Sequence, residues 1–353
     1  MTHQFEELFQ QQHQVQYALA TTSCTAALHL AAMALQLEPG DEVIVPAFTW
    51  VTSAHCAEYV GAKVVFADVE RDTFNIDPVA LEAAITPKTK AVVVVHLFGL
   101  AARMEEILAI AHKYNIAIIE DAACAVGTTY DGKPVGGLGD IGCFSFHPRK
   151  VITTGEGGML TTNNAELAER LKVLRNHGAS PNPHIDATKP YYMGCFDQLG
   201  FNLRFSDIQA AIGIAQMKKL SKLLSERINL AKQYNQHLEG VADIATPTIP
   251  TLCGHSYQSY VIKIIDGGVN RRNTIMEVMA ADGIQTRPGT HAVHRLGYYQ
   301  NKYNLKAEQY PNAADAEDLS ITLPIFPGMN ENDQQLVVNS LKAGLQRYSA
   351  ISP

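Results

Sequence analysis

At 353 residues the chain has room for two domains, and 46% hydrophobic against 18% charged residues is the balance of a protein with a well-buried core. A formal net charge of −7 argues against the basic field of a nucleic-acid binder, and no apolar run reaches the length of a bilayer span. The polar start MTHQFEELFQQQHQ lacks a signal-peptide core, and the six cysteines (24, 56, 124, 143, 195, 253) have no C-x-x-C spacing, which reads as reduced thiols in a cytoplasmic protein.

Strand and helix signals take turns along the first half. Thr25 to Leu37 is helical, rich in Ala and Leu, and is closed by Glu38-Pro39-Gly40. Val43 to Pro46 and Ala62 to Val69 read as strands, after which Asp77-Pro78 opens a helix with favoured N-cap and first-turn residues. Ala91 to His96 has the continuous β-branched character of a strand buried on both faces. Met104 to Tyr114 is amphipathic, and Ile116 to Glu120 returns to strand. Ile141 to Phe146 alternates as a buried strand, and Met159 to Thr162 follows across a tight Thr-Thr-Gly-Glu-Gly-Gly turn. This rhythm implies an α/β fold, with a mostly parallel sheet between helices.

The rhythm then changes. Ser206-Asp-Ile-Gln209 is a capping box, and Leu220, Leu224, Ile228, Ala231 and Leu238 keep helical spacing over a long connecting helix. Beyond Gly240 come a strand at Tyr257 to Ile265, a helix at Arg271 to Ala281 and a closing helix from Asn332 to about Tyr348. The expected division is a large α/β domain over 1–222 and a smaller α+β domain over 223–353.

In open parallel sheets chemistry gathers at the carboxyl ends of strands. Thr21 to Thr25 precedes a long helix, where free amides and hydroxyls suit a phosphate as well as ordinary N-capping. Glu120-Asp121 ends a strongly apolar strand, so a carboxylate there needs a cation or hydrogen-bond donors; a structural ion pair would also serve. Trp50, the only tryptophan, is either a ring platform or packing, and Lys150 is either a buried amine or a lysine snorkelling from a strand end. Gly137-Leu-Gly139-Asp-Ile-Gly142 fits G-x-G-x-x-G but precedes a strand instead of opening a helix, so it is not read as a dinucleotide site. A phosphate cradle, an aromatic plate, a strand-end carboxylate and a buried lysine are together what pyridoxal phosphate requires.

Six segments, TSCTAALHLA (22–31), GDEVIVPAFTWVTSA (40–54), IIEDAACAVG (118–127), GDIGCFSFHPRKVITTGEGGMLTTN (139–163), GFNLRFSDIQAAIG (200–213) and LPIFPGM (323–329), carry a resemblance to another group of proteins. In this order they resemble the DegT/StrS-type sugar aminotransferases, within the fold-type I, aspartate aminotransferase-like enzymes. The resemblance implies that Lys150 forms the imine bond to pyridoxal phosphate, its partial desolvation favouring the uncharged amine. It implies that Asp121 pairs with the pyridine nitrogen and keeps it protonated, and that Trp50 stacks on the ring. Cys24 and Thr25 match a Gly-Thr pair that holds the phosphate, and Ser145 matches a further phosphate ligand. Asn202 matches an asparagine that reaches the neighbouring subunit's phosphate, with Arg204 close behind, which implies a homodimer with shared sites.

Two departures stand out. Cys24 replaces the usual glycine, and Cys124 stands where many members have Gln or His on the cofactor's 3-oxygen, a role for which a thiol is a poor donor. Members also carry a further stretch before the segment matching Phe5 to Phe9, so its contribution is expected to be missing or supplied otherwise.

The implied reaction moves an amino group from L-glutamate to a keto or aldehyde sugar, a nucleotide-linked keto-hexose, in amino-sugar and lipopolysaccharide biosynthesis. An oxidised octulosonate-type sugar acid, giving an 8-amino-3,8-dideoxy-octulosonate, is the alternative acceptor. Relatives that dehydrate sugars carry histidine at the lysine position. Lys150 disfavours that branch, although His147 offers a second acid–base group or a structural hydrogen bond; retention of Lys150 and Asp121 also disfavours a non-catalytic regulator. Thr286 to Arg295 is the expected acceptor loop, with Arg287, His291, His294 and Arg295, since arginines suit a diphosphate and a carboxylate equally.

Overall fold

A computed structural model describes residues 1–351. Strands β1 (Tyr17–Thr21), β2 (Glu42–Pro46), β3 (Lys63–Ala67), β4 (Thr89–Val95), β5 (Ala117–Asp121), β6 (Ile141–Ser145) and β7 (Gly158–Thr162) form one seven-stranded sheet, ordered β1-β7-β6-β5-β4-β2-β3. The pairs from β6 through β3 are parallel, and β7 alone runs antiparallel to both of its neighbours.

The period of two along each strand decides what covers each face. Val43, Val45, Val93 and Val95 point into one apolar layer with Leu28, Ala31 and Ala57 of the helices Cys24–Ala34 and Thr52–Tyr59. Ile44, Val92 and Val94 point into the other, with Ile107 and Ala111 of the helix Met104–Tyr114. The parallel sheet is therefore buried on both sides, as its β-branched run implied.

That second layer also contains an element the sequence reading left without a role. The helix Thr2–His13 is polar overall but buries Phe5 and Phe9, spaced four apart, against Phe146 (5.2 Å between ring centroids) and Phe144 (4.9 Å) respectively.

The expected strand Ile116–Glu120 is shifted by one residue. Asn115 closes the preceding helix in the left-handed region (φ 52°), and the Ile116 N–H returns to the Ala111 carbonyl at 3.0 Å. Pairing therefore begins at Ala117 and ends on Asp121, beside Val95.

Glu120 and Asp121 consequently point to opposite faces. Glu120 is fully buried and accepts N–H bonds from Gly136 (2.7 Å), Leu138 (2.8 Å) and Gly139 (2.6 Å), and a bond from His96 Nε2 at 2.9 Å. His96 Nδ1 accepts the Ala102 N–H at 3.1 Å, so the ring proton lies on Nε2. Burial opposes the Glu120 charge, yet His96 and the glycine amides hold its carboxyl below the usual range. Leu138 and Gly139 of the G-x-G-x-x-G string, with Gly136 just before it, thus form a backbone nest around an internal carboxylate.

A second, three-stranded antiparallel sheet is ordered β8 (Ile244–Ala245), β9 (Tyr260–Ile264), β10 (Ser320–Leu323). The helices Leu220–His237, Gly268–Ala281 and Glu331–Ile351 cover it, and Tyr234, Tyr260, Ile262, Met279, Val338 and Leu341 fill its own core. The strand expected from Tyr257 starts only at Tyr260, because Tyr257 is left-handed (φ 50°) and stacks on His255 at 3.9 Å. Among the described residues no helix is long and apolar enough to cross a membrane.

Candidate active site

Because β4, β5 and β6 are parallel, their last residues share one edge of the sheet. Val95, Asp121 and Ser145 lie there together, facing the start of the helix Cys24–Ala34. Between them is a cavity of about 260 Å³, also lined by Cys24, Thr25, Trp50, Cys124, His147, Arg149, Lys150 and Arg287.

Asp121 is buried at the floor. Ser53 Oγ donates to its Oδ2 at 2.6 Å, and the Ala123 N–H donates to Oδ1 at 3.2 Å. Burial raises its pKa, and Ser53, Ala123, Lys150 and His96 offset that only in part. A carboxylate in that condition gains from a cationic N–H partner such as a pyridinium.

Lys150 follows β6 through a turn in which its N–H donates to the His147 carbonyl at 2.9 Å. Its Nζ donates to Cys124 Sγ at 3.0 Å. Burial pulls the lysine pKa down, but Cys124, Cys24 and Asp121 outweigh it and the net shift is upward. Burial does favour the neutral amine, as expected, but the groups packed around that amine favour its proton and set the net direction.

At the helix start, Ser23 Oγ accepts the Ala26 N–H at 3.1 Å, and the Cys24 and Thr25 amides have no intrahelical partner. Cys24 is the first helical residue and is not left-handed, so a side chain replaces the usual glycine there without strain. The close approach is made instead by Gly158 of β7, where a Cβ would stand 2.5 Å from the Ser23 oxygen and 2.7 Å from the Cys24 nitrogen. A phosphate could be held by these amides, with the Ser145 hydroxyl beside them, at the positive end of the helix. Trp50, 52% exposed, covers the cavity with its indole 5.7 Å from the His291 ring. The donor set therefore fits pyridoxal phosphate: amides for the phosphate, a carboxylate for the ring nitrogen, an amine for the imine bond.

The other expected residues divide. His147 lines the cavity, 3.8 Å from Glu156. Asn202 and Arg204 are exposed outside their own chain's cavity, where Arg204 donates to Asn176 Oδ1 at 2.7 Å. His291 lies beside Trp50, outside the lining and 3.8 Å from Glu317. His294 and Arg295 do not meet the acceptor expectation. His294 is fully buried, with Nε2 3.0 Å from the Ala307 carbonyl, and Arg295 is neutralised by Asp318 (2.9 Å) and Glu317 (3.3 Å) of the helix Pro311–Leu319. Of that loop's four expected contacts only Arg287 lines the cavity. The sequence reading missed Ser53, Arg149, Glu156 and Gln258. Arg149 had a signal, since it adjoins Lys150, whereas the other three arrive by tertiary folding.

The sequence matches the DegT/DnrJ/EryC1/StrS aminotransferase family over residues 1–342. It is similar to the GDP-perosamine synthase of Caulobacter vibrioides, with 39% identity over 339 residues, covering 96% of this chain and 88% of that relative. The fold is similar to that of Helicobacter pylori PseC, an aminotransferase involved in the biosynthesis of pseudoaminic acid, at a TM-score of 0.91 and 28% identity, covering 98% and 91% of the two chains. A candidate sugar aminotransferase of Streptococcus pneumoniae, solved in its PLP form, matches with a TM-score of 0.91 and 27% identity over 98% of this chain and 91% of that one. The chain belongs to the DegT/DnrJ/EryC1/StrS aminotransferase family, as a fold-type I aminotransferase whose cofactor is pyridoxal phosphate.

Proposed function

We propose that the chain transfers the amino group of L-glutamate to a nucleotide-linked keto-hexose, supplying an amino sugar for lipopolysaccharide or a related surface polysaccharide. The observation that carries the reading is the Lys150 amine and the Asp121 carboxylate in one cavity with the first-turn amides of Cys24 and Thr25. Similarity to GDP-perosamine synthase and to PseC supports a sugar as acceptor.

Pyridoxal phosphate, when bound, supplies an electron sink for the carbon that loses its proton. Lys150 Nζ would hold it and, as a free amine, would take the proton from the donor's Cα and deliver it to the carbon on the other side of the transferred nitrogen. Positioned proton transfer of this kind contributes roughly 10²–10⁴-fold in rate. Asp121, oriented by Ser53, holds the ring nitrogen protonated. Trp50 covers the ring face and keeps water out. The Cys24 and Thr25 amides and the Ser145 hydroxyl hold the phosphate.

Asn202 completes the phosphate site of a second subunit in a homodimer, with Arg204 behind it. The exposed Leu199 (77%) and Ile208 (80%) flank that loop and support burial against a partner. Residues 1–222 act as the cofactor-binding domain and 223–353 as the smaller domain, in a cytoplasmic enzyme. An octulosonate-type sugar acid is the second reading for the acceptor, favoured by a cavity arginine, Arg287, with no acidic partner among the described residues.

The test is spectroscopic and chemical. Purified protein should show an absorbance band at about 410–430 nm, lose it in Lys150→Ala, and shift it on addition of L-glutamate. Substantial turnover by Lys150→Ala would reject the mechanism. Failure of both acceptor classes to restore the band after glutamate would reject the sugar assignment.

A further inference from the structure

Lys150 reaches the cavity from a turn, and the peptide unit that leads into it is gripped at both ends. The N–H of that unit belongs to Lys150 and donates to the His147 carbonyl at 2.9 Å. Its carbonyl belongs to Arg149 and accepts from Gln258 Nε2 at 2.7 Å. The first bond is local to the turn. The second spans 109 residues and comes from the segment that leads into β9. A peptide unit is planar, so holding both ends fixes the plane from which the lysine side chain springs.

Gln258 is only 9% exposed and lines the cavity. A carbonyl only accepts, so the amide nitrogen of Gln258 must face Arg149, and Oε1 is left without a partner among the described residues. The amide keeps this orientation because the reverse would set two oxygens against each other. Its backbone is held by two other elements. The Ser256 and Ser259 N–H groups donate to the carbonyls of Gly99 (2.9 Å) and Phe98 (3.2 Å), just beyond β4. Gly99 is left-handed (φ 94°), and a Cβ there would stand 3.1 Å from the Gln258 nitrogen, so this approach requires a glycine.

Arg227 of the helix Leu220–His237 is the second element. It donates to the carbonyls of Tyr257 at 3.1 Å and Gln258 at 3.3 Å. Arg227 is buried, and among the described residues it has no carboxylate within ion-pair distance. A charge kept inside without an acid is unfavourable. Two backbone carbonyls are the partners it has.

We propose that Gln258 is a positioning residue for Lys150 and that Arg227 positions Gln258 in turn, holding the Arg149–Lys150 peptide so that Nζ meets the carbons between which it moves a proton. The contacts run from a buried arginine, through two carbonyls and one amide, to the peptide of the reacting lysine. Neither residue bonds Nζ or carries the proton. A misplacement of about 1 Å can cost a hundredfold in rate, so the loss expected is in rate and not in binding. The proposal rests on Lys150 as the proton carrier and is independent of the acceptor sugar.

Gln258→Met keeps the side chain's length and removes its donor. The variant should retain pyridoxal phosphate and its visible band, and amide hydrogen exchange should quicken in the fragment 147–151. The half-reaction with L-glutamate, followed by stopped flow, should slow roughly tenfold to a hundredfold at saturation. Its half-saturating concentration should not change, which marks an interaction that counts in the transition state alone. Arg227→Met should reproduce both effects, and Arg227→Lys, which can still donate to a carbonyl, should recover part of them. Gln334→Met is the matched control: Gln334 is buried, its Nε2 donates to the Leu230 carbonyl at 2.9 Å and its Oε1 is likewise unpartnered, but it lies outside the cavity lining. It should lower the melting temperature and leave the half-reaction and the 147–151 exchange as in wild type.

Wild-type exchange in 147–151, or a wild-type half-reaction rate, in Gln258→Met overturns the proposal. So does equal slowing by Gln334→Met, which would make general loss of stability the cause. A raised half-saturating concentration at an unchanged rate also overturns it, since Gln258 would then be a substrate contact. If Arg227→Met does not fold, the Gln258→Met results decide alone. A wild-type protein whose band L-glutamate does not shift would instead sink the donor assignment, and the exchange measurement would still test the positioning.

Discussion

Lys150 Nζ donates a hydrogen bond to Cys124 Sγ at 3.0 Å, so the sulfur occupies the lysine's side of the cavity and is not turned away as a buried structural thiol. With Cys24 and Asp121 it holds the lysine's proton more tightly than burial alone would allow. An ammonium is not nucleophilic, so this contact sets the pH at which the amine becomes available. Cys124→Ala removes one stabiliser of the charged form and should lower the Lys150 pKa. In cofactor-free protein, the pH profile of cofactor capture, followed by absorbance, should then move to lower pH. An unmoved profile would show that the sulfur is a bystander.

Asp121 has the opposite balance. Its folded-state pKa is raised by burial, so its ionisation destabilises the cofactor-free fold. The favourable contribution is complete below the unfolded pKa, about 3.9, and is lost as pH rises through the higher folded value. Asp121→Asn should therefore raise the cofactor-free melting temperature at neutral pH, with the gain disappearing at acidic pH. It should also reduce turnover on the order of a hundredfold or more, because the ring nitrogen loses its anion. A variant melting below wild type at neutral pH would contradict the first expectation.

Glu120, one residue earlier, is held charged by three amides and His96. Its folded pKa is depressed, so the stability it confers is present above the unfolded carboxylate pKa and fades as pH falls through the folded value. Glu120→Gln places an amide group against donors that need an acceptor. Roughly 3–5 kcal/mol of unfolding free energy should be lost, measured by urea denaturation at neutral pH. A loss below about 1 kcal/mol, the scale of one ordinary hydrogen bond, would mean the nest relaxes around the neutral side chain.

The shared-site expectation has a complementation test. Lys150→Ala and Asn202→Ala homodimers should both be inactive or weakened. If each subunit lends Asn202 to the other, a mixed dimer contains one site with both defects and one with neither. Activity should reappear after subunit exchange, monitored in parallel by mass or fluorescence. Verified exchange without recovery would place Asn202 in a purely local role, as its exposed position beside Asn176 permits.

Much of the site was legible because its placement is local. An apolar run ending in Asp121, a capped helix beginning at Cys24 and a lysine just past a buried strand each mark a strand or helix end, and parallel strands bring such ends to one edge. The exact end of β5 was not legible, because the left-handed Asn115 takes Ile116 into the helix's closing turn. Glu120 and Asp121 read alike as strand-end acids. Only the sheet's two faces separate them, turning one into a nest of amides and the other into the cavity.

The arginines and histidines of 287–295 were equally indistinguishable in one dimension. The helix Pro311–Leu319 brings Glu317 and Asp318 against Arg295, whereas among the described residues Arg287 has no acid within ion-pair distance. Side-chain identity and local periodicity determined which groups this protein carries to the end of its sheet. Which charges find a counter-ion inside the protein was decided only when segments distant in sequence packed together, because pairing depends on contact and burial that spacing does not encode.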